Sequence, residues 1–155
     1  MAVEIERKFL LLNDTWRKEA SAPVRYRQGY LTASDKSSVR VRIEGDKAFL
    51  NIKGATLGIR RQEYEYPIPL DDAEKLLDDL CHKPLIEKDR YFINRGQHTW
   101  EIDEFFGDNQ GLVVAEVELQ SEDEEIEKPM WLGEDVSEDM RYYNVCLVTH
   151  PYKDW

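Results

Sequence analysis

Charged and apolar residues alternate along many short segments of this sequence. In Val3-Glu4-Ile5-Glu6-Arg7-Lys8-Phe9, a period of two places Glu4, Glu6 and Lys8 on one face of a strand and the apolar residues on the other. A helix would repeat its apolar positions every 3.6 residues, so this pattern predicts strands with one ionisable face. The other charged residues in such segments are Arg40, Arg42, Lys53, Glu63, Glu65, Lys88, Arg90, Glu101, Asp103, Glu116 and Glu118.

Turn sequences such as Glu44-Gly45-Asp46-Lys47 and Asn94-Arg95-Gly96-Gln97 separate the strand-like runs and are typical of antiparallel hairpins. We predict eight strands, at 3–12, 24–33, 37–44, 47–53, 59–69, 85–94, 98–106 and 112–121. A helix is predicted over 70–80, where apolar residues recur at helical spacing. Short polar helices or turns are predicted at 13–19 and 121–127, and a last helix capped by Ser137 is predicted to run to about Leu147.

Length and composition limit the class of protein. The 155 residues, 41% of them hydrophobic, predict a single folded domain over 1–155. The net charge of −11 argues against a nucleic-acid partner, because such proteins bind through a basic surface. The sequence contains no apolar run long enough to cross a membrane, and its first residues are charged, so we expect a cytoplasmic protein without a membrane partner. The oligomeric state cannot be predicted.

Eight strands suffice to close a barrel whose interior is about wide enough for one small ligand. An ordinary sheet with one solvated face is the alternative, although six strands with paired ionisable groups are unusual for such a face. If the charged faces point inward, the ions need partners, because desolvating an unpaired ion costs several kcal/mol. A polyanion would take the basic residues and Mg²⁺ or Mn²⁺ the carboxylates, whereas the two distant cysteines, Cys81 and Cys146, do not indicate a zinc site.

The sequence resembles the CYTH superfamily of triphosphate tunnel metalloenzymes, and in particular its short bacterial tripolyphosphatase-like members. Its opening Glu4-Ile5-Glu6-Arg7-Lys8 is similar to the family's ExExK motif. Further segments follow in the family's order over nearly the whole chain: Gln28-Gly29-Tyr30-Leu31, Val39-Arg40-Val41-Arg42, Ile52-Lys53-Gly54, Arg61-Gln62-Glu63-Tyr64-Glu65, Glu87-Lys88-Asp89-Arg90-Tyr91, Glu101-Ile102-Asp103, Glu116-Val117-Glu118 and Arg141-Tyr142.

The resemblance implies a mainly β (α+β) fold: a closed eight-stranded antiparallel β-barrel tunnel with a few flanking helices and a C-terminal helix. It also implies metal-dependent hydrolysis of a small-molecule triphosphate. Carried onto matching positions, substrate contacts fall on Lys8, Arg40, Arg42, Lys53, Lys88 and Arg90. The residues that would bind Mg²⁺ or Mn²⁺ are Glu4, Glu6, Asp103, Glu116 and Glu118. Glu63 and Glu65 would support this metal site. Catalytic roles fall on Tyr30, Lys8, Glu4 and Glu6, with Tyr30 either a proton acceptor or a hydrogen-bonding wall of the tunnel.

Two departures from the family pattern stand out. Asn51 replaces a frequent threonine, and the segment Tyr142-Tyr143-Asn144-Val145 carries fewer basic residues than similar short members, which leaves open how it closes the tunnel. Inorganic tripolyphosphate is the favoured substrate, and a nucleoside triphosphate or thiamine triphosphate is possible. The alternatives are conversion of ATP to cyclic AMP, as in class IV adenylyl cyclases that share this tunnel, and a non-catalytic polyphosphate-binding module.

Overall fold

The structure is a computed structural model and describes residues 2–155. Within them lie nine strands: β1 (Val3–Leu11), β2 (Val24–Ala33), β3 (Ser37–Glu44), β4 (Lys47–Gly54), β5 (Arg60–Ile68), β6 (Ile86–Arg95), β7 (His98–Phe105), β8 (Val113–Glu118) and β9 (Leu132–Asp135). The helices are α1 (Leu70–Asp79) and α2 (Asn144–Thr149), and 3₁₀ turns form at Thr15–Lys18, Gly107–Asn109, Met140–Tyr142 and Tyr152–Asp154. No helix in this part of the chain has the length and apolar character that crossing a membrane requires.

Eight of the strands close into an antiparallel barrel. Their order is β5-β4-β3-β2-β6-β7-β8-β1, and β1 pairs back onto β5 to complete the ring. β1 makes both closing contacts with different parts of its length: residues 3–5 pair with β5, and residues 6–10 pair with β8. The predicted fold, a closed eight-stranded barrel with few helices, is therefore confirmed.

Apolar side chains on the outer strand faces pack under the rest of the chain. α1 covers β3 and β4 and buries Ala73 and Leu77 against them, and full burial of a leucine side chain stabilises a protein by about 1.5–3 kcal/mol. Gly29 of β2 faces the chain that follows α1. A Cβ at this position would lie 2.7 Å from Leu85 Cδ2 and 2.9 Å from Cys81 Cβ, so only glycine permits this close approach.

A second apolar core covers the outer faces of β1, β7 and β8. Trp100 lies at its centre and packs edge-on against Phe9 and Trp131, with ring centroids 5.7 and 5.6 Å away. Trp16, from the first 3₁₀ turn, is buried in the same core. Because these outer faces bury the apolar residues of each strand, the alternating charged residues must point into the barrel.

One end of the barrel interior is apolar and is filled by residues 137–149, which we call the C-terminal segment. Ile86, Phe105 and Val114 share the inward faces of β6, β7 and β8 with the charged residues, and they pack against Tyr142 and Leu147 of the C-terminal segment. The charged part of the interior is therefore closed at this end by a hydrophobic plug.

The structure differs from the predicted elements in two places. Residues 132–135 form the unpredicted strand β9, which pairs with β1. The predicted helix from Ser137 is divided, because Tyr143 has an extended backbone (φ −70°, ψ 133°) between the 3₁₀ turn and α2. Ser137 caps neither element; its Oγ instead accepts a hydrogen bond from Lys8 N at 2.8 Å. Residues 121–127 form turns without a helix, one of the two alternatives predicted there.

Candidate functional site

A charged cavity of about 410 Å³ occupies the barrel interior, a volume in the range of small-ligand sites. Its walls carry basic and acidic side chains in similar number. The seven basic residues are Lys8, Arg40, Arg42, Lys53, Arg61, Lys88 and Arg90, and the eight glutamates are Glu4, Glu6, Glu44, Glu63, Glu65, Glu101, Glu116 and Glu118. The strands thus bring together all the predicted site residues except Asp103, while their roles in binding and catalysis stay predictions.

Arg40 differs from the other basic side chains of the wall. Among residues 2–155 each of the other six has a carboxylate oxygen within 4.0 Å, and Arg40 has none. Arg40 is only 6% exposed. Its guanidinium makes two long contacts with Asn51 Oδ1, 3.4 Å from Nε and 3.3 Å from Nη2. Because a buried charge without a counter-ion is unfavourable by several kcal/mol, this guanidinium is suited to an anionic ligand.

Three further cations of the wall surround the ring of Tyr26. The Arg90 guanidinium carbon lies 4.7 Å from the ring centroid, that of Arg42 5.7 Å, and Lys88 Nζ 5.8 Å. Burial raises the pKa of the Tyr26 phenol to about 12, so the ring stays neutral at physiological pH. Tyr26 therefore places three cations in one part of the wall without neutralising them.

Ion pairs link several cations of the cavity wall to carboxylates. Arg42 lies 2.7 Å from Glu65 and 3.0 Å from Glu44, although its Nε–H is not aligned with any acceptor. Lys53 lies between Glu63 at 3.2 Å and Glu4 at 3.7 Å. Burial and the charge of Arg40 lower the pKa of Lys53. An entering polyanion can exchange these contacts for phosphate oxygens.

Glu6 and Glu116 form a carboxyl pair whose pKa values are shifted in opposite directions. Burial and the charge of Glu116 raise the pKa of Glu6 well above its usual value. Burial also opposes ionisation of Glu116, but the charge of Lys8 and a hydrogen bond with Glu6 hold its pKa well below the ordinary range. A proton on this pair is therefore favoured on Glu6 rather than on Glu116. Glu116 Oε1 is buried and has no hydrogen-bond partner among the described residues.

Glu4 and Glu63 form a second pair of the same kind. Burial opposes the charge of Glu4, but Lys53, a hydrogen bond with Glu63 and Arg61 together lower its pKa to about 2. Burial and the hydrogen bond with Glu4 raise the pKa of Glu63 to about 7. The cavity therefore favours the protonated form of two of its carboxyl groups, Glu6 and Glu63, relative to solvated glutamates.

The donor set of the cavity fits a hard divalent cation. In the part of the chain that the structure describes, no three His, Cys, Asp or Glu side chains are already grouped as metal ligands. The carboxylates occur in pairs instead, and Mg²⁺ is commonly held by one or two carboxylates together with substrate phosphates. Glu116 Oε1 offers one such ligand: it accepts no hydrogen bond among residues 2–155 and lies 3.8 Å from Arg90 Nη2 and 4.0 Å from Lys8 Nζ. The pairs thus fit a cation that enters with a phosphate ligand.

Two of the predicted metal ligands differ from the rest in position. Asp103 is completely buried behind the wall, where Arg90 donates to both its oxygens at 2.7 and 2.8 Å and Lys88 Nζ lies 2.8 Å away. These contacts place Asp103 as a counter-ion for two cations. Glu118 lines the cavity but is exposed, so its carboxylate is open to solvent. Metal ligation by either residue stays a prediction.

The C-terminal segment contacts both lysines at the inner end of the cavity. Lys8 Nζ donates to the carbonyl of Tyr142 at 2.9 Å, and Lys88 Nζ lies 3.2 Å from Asn144 Oδ1. Burial lowers the pKa of Lys88 to about 8, although the charge of Asp103 opposes that shift. The C-terminal segment therefore closes the barrel with neutral oxygen acceptors that bind the two lysines. Closure of the tunnel does not require basic residues in this segment.

The structure adds wall residues that the sequence did not single out. Arg61 lies 3.2 Å from Glu4 and shares the inward face of β5 with Glu63, so the period of two contained the signal. Asn144 reaches the cavity through the packing of the C-terminal segment and has no comparable local signal. The three histidines, His82, His98 and His150, lie outside the described cavity wall, and His98 pairs with Glu124.

Comparisons with known proteins agree with this geometry. The CYTH domain model matches residues 2–152. An inorganic triphosphatase of Acetivibrio thermocellus is 48% identical over 155 residues, covering 100% of this chain and 99% of the relative. One of Nitrosomonas europaea is 39% identical over 149 residues, covering 93% and 95%.

Solved structures show the same fold. The crystal structure of an inorganic triphosphatase matches with a TM-score of 0.66 and 36% identity, covering 96% of this chain and 95% of that one. A putative adenylate cyclase of Bacillus halodurans matches with a TM-score of 0.62 at 18% identity, covering 79% and 84%, which indicates a common fold alone. From the family match over nearly the whole chain and the barrel itself, we conclude that this protein belongs to the CYTH domain family.

Proposed function

We propose that this protein hydrolyses the terminal phosphoanhydride bond of a triphosphate bound in the barrel, with a divalent cation as cofactor. The observation that carries the proposal is the cavity itself: among residues 2–155, seven basic side chains face eight glutamates, and the buried Arg40 has no carboxylate oxygen within 4.0 Å. A polyanion with a divalent cation satisfies both sets of charges. The names of the two relatives, both inorganic triphosphatases, support this assignment.

Binding is assigned to the basic wall. Arg40 and Arg42 offer forked donors, while Lys8, Lys53 and Lys88 act as point charges along the same interior. Phosphoryl transfer requires positioning and charge neutralisation more than covalent chemistry. The wall would therefore hold the phosphates in line and stabilise the charge that develops on the transferred group.

The carboxylate side of the wall would hold the cation. Of the predicted ligands, Glu4, Glu6 and Glu116 fit best, because they lie in the paired set and one oxygen of Glu116 accepts no hydrogen bond among the described residues. Mg²⁺ or Mn²⁺ would supply charge neutralisation and a lower pKa for bound water. The protons on Glu6 and Glu63 would leave these carboxyls when the cation binds.

Tyr30, assisted by Lys8, is the group that we propose for proton transfer. Both are buried and line the cavity, and Lys8 Nζ is held by the carbonyl of Tyr142. A proton-accepting role for Tyr30 needs the positive field of Lys8 or of a cation, which would stabilise the negative charge of the phenolate. The other role, a hydrogen bond to the ligand, needs only its position in the wall.

Inorganic tripolyphosphate is the favoured substrate, because the wall is dominated by charges that match phosphates and the inner end is filled by Tyr142 and Leu147. A nucleoside triphosphate or thiamine triphosphate would have to place its organic group toward the opposite mouth. We infer no nucleic-acid partner from the net charge of −11, because proteins that bind nucleic acids do so through a basic surface.

The test is a substrate panel with tripolyphosphate, ATP and thiamine triphosphate, each with Mg²⁺ or Mn²⁺, in which released phosphate and cyclic nucleotide are measured together. We expect the highest kcat/KM for tripolyphosphate and no turnover in excess chelator. Cyclic AMP as the main product from ATP would establish the cyclase alternative. Tight binding of tripolyphosphate without turnover under any metal would establish the binding module.

A further inference from the structure

Gln28 is a neutral residue in the centre of the charged wall. It lies on the inward face of β2 between Tyr26 and Tyr30, lines the cavity and is 0% exposed. Its Nε2 donates to Asn144 Oδ1 at 3.0 Å. Its Oε1 has no hydrogen-bond partner among the described residues, which is costly for a buried amide oxygen unless a ligand or water satisfies it.

The hydrogen-bond chemistry fixes which way the Gln28 amide points. Lys88 Nζ lies 3.2 Å from the Asn144 side chain, and an ammonium can only donate. Asn144 must therefore present its oxygen to Lys88, and the same oxygen faces Gln28. Gln28 must in turn present its NH₂ group to Asn144, because the flipped amide would bring two acceptors together. Its Oε1 is consequently directed away from Asn144.

An acceptor in this position cannot contact a phosphate oxygen, which is itself an acceptor in the ionised triphosphate. A metal ion at Gln28 is also unfavourable. Arg42 is directly opposite Gln28 in the β2–β3 register, and Lys88 binds the same Asn144 oxygen, so a cation at the amide would be close to two positive charges. A water molecule meets the need, since it can donate one hydrogen to Oε1 and carries no charge.

We propose that Gln28 Oε1 orients the attacking water, and that Asn144 is the positioning residue that fixes the Gln28 amide. This inference rests on the proposed hydrolysis. A water that donates to a fixed acceptor turns an oxygen lone pair toward the phosphorus, as attack on a phosphoryl group requires. The water oxygen forms the new P–O bond, the bridging P–O bond breaks, and the diphosphate leaves with the bond's electron pair. The released proton passes to a neighbouring base or to solvent.

The test separates orientation of water from binding of substrate. Gln28→Met keeps the approximate length of the side chain and removes the acceptor. With tripolyphosphate and Mg²⁺, we expect kcat to fall about tenfold, which corresponds to about 1.4 kcal/mol of lost transition-state stabilisation. The Kd of imidotriphosphate, a non-hydrolysable analogue, should change less than threefold by calorimetry, because Gln28 does not contact the phosphates.

Asn144 variants provide the matched comparison. Asn144→Asp keeps an acceptor facing both Gln28 and Lys88, whereas Asn144→Leu removes it and frees the Gln28 amide to rotate. The kcat of Asn144→Asp should therefore exceed that of Asn144→Leu several-fold. In the Gln28→Met/Asn144→Leu double variant, the loss of kcat should be smaller than the product of the two single losses, because Asn144 acts partly through Gln28.

The outcomes distinguish this inference from the proposed function. If the wild-type protein hydrolyses none of the three triphosphates in the panel, the proposed function fails. If the wild type is active and folded Gln28→Met retains its kcat, the role of Gln28 alone is wrong. A weaker Kd for imidotriphosphate with unchanged kcat would instead make Gln28 a substrate contact and overturn the inference. Should Gln28→Met fail to fold by thermal melt, equal kcat values for Asn144→Leu and Asn144→Asp would overturn it.

Discussion

At the scale of single residues, Arg40 is the basic group most directly available to a ligand, because the other wall cations already have carboxylate partners. Arg40→Ala should reduce kcat/KM for tripolyphosphate by roughly 10- to 150-fold, the equivalent of a charged hydrogen bond worth about 1.5–3 kcal/mol. Arg40→Lys keeps the charge but loses the forked donors, so its kcat/KM should lie between those of the wild type and Arg40→Ala.

The matched control for Arg40 is Arg60→Ala. Arg60 begins β5 outside the cavity wall and pairs with the exposed Glu122 at 3.7 Å. Its loss should leave kcat/KM within about twofold, since exposed ion pairs contribute about 0–1 kcal/mol. Equal losses for Arg40→Ala and Arg60→Ala, with both variants folded, would mean that the basic wall does not bind the substrate.

Glu63 gives the cavity a defined dependence on pH. Its folded-state pKa of about 7 is above the ordinary 4.5, so its stabilising contribution is fully present below pH 4.5 and is lost as pH rises toward and through 7. In metal-free protein, Tm should fall over this window, and Glu63→Gln should flatten the fall, because the amide cannot ionise. A divalent cation competes with the proton, so Mg²⁺ should raise Tm more at pH 8 than at pH 6.

The Glu63 experiment has its control at Glu122, an exposed glutamate whose Gln variant should keep the wild-type pH profile. Tm is measured across pH 5–8 with and without Mg²⁺. A Glu63→Gln profile that matches the wild type would show that the proton on the Glu4–Glu63 pair does not affect stability.

At the scale of elements, the strands were the most predictable feature. Each strand buries one apolar face, and this produces the alternation of apolar and charged residues in its sequence. β9 was missed because Leu132-Gly133-Glu134-Asp135 contains glycine and two acidic residues, which are poor strand formers. The structure explains the glycine: a Cβ at Gly133 would lie 2.8 Å from the Leu10 carbonyl oxygen. This strand depends on backbone contact with β1, which local patterns do not record.

The site residues also fall into two groups, those that strand periodicity predicts and those that only the three-dimensional structure shows. The inward direction of residues such as Arg42 and Glu116 followed from strand periodicity, and Arg61 could have been found by the same reasoning. Asp103 shares that periodicity but is enclosed by Arg90 and Lys88, a consequence of neighbouring strands that one strand's pattern cannot predict. Asn144 enters through the fold of the C-terminal segment, so its contact with Gln28 required the three-dimensional structure.

The C-terminal segment makes its own prediction. Leu147 of α2 is 0% exposed inside the closed end of the barrel, so Leu147→Ala should destabilise the protein by about 2–5 kcal/mol in denaturant unfolding. The kcat should also fall, because the segment holds Lys8 and Lys88. Thr149→Ala, at an exposed position of the same helix, should change stability by less than about 0.5 kcal/mol. Equal stability of the two variants would contradict a packed plug.

At the scale of the whole molecule, the net charge of −11 repels polyanions while the interior concentrates basic groups. Binding must therefore depend on the local field of the cavity, and a low-dielectric interior strengthens that field. The same arrangement explains why the barrel is closed: a complete ring of strands lets charges from β1 to β8 converge on one small volume.

The most direct test of this account is a crystal structure of the protein with imidotriphosphate and Mg²⁺. We expect a chain of three phosphates inside the barrel, with the Arg40 guanidinium within hydrogen-bonding distance of a phosphate oxygen and a cation between the phosphates and the Glu6–Glu116 pair. An analogue bound on the outer surface, with Arg40 still contacting only Asn51 and the internal ion pairs unchanged, would contradict the assignment of the tunnel as the triphosphate site.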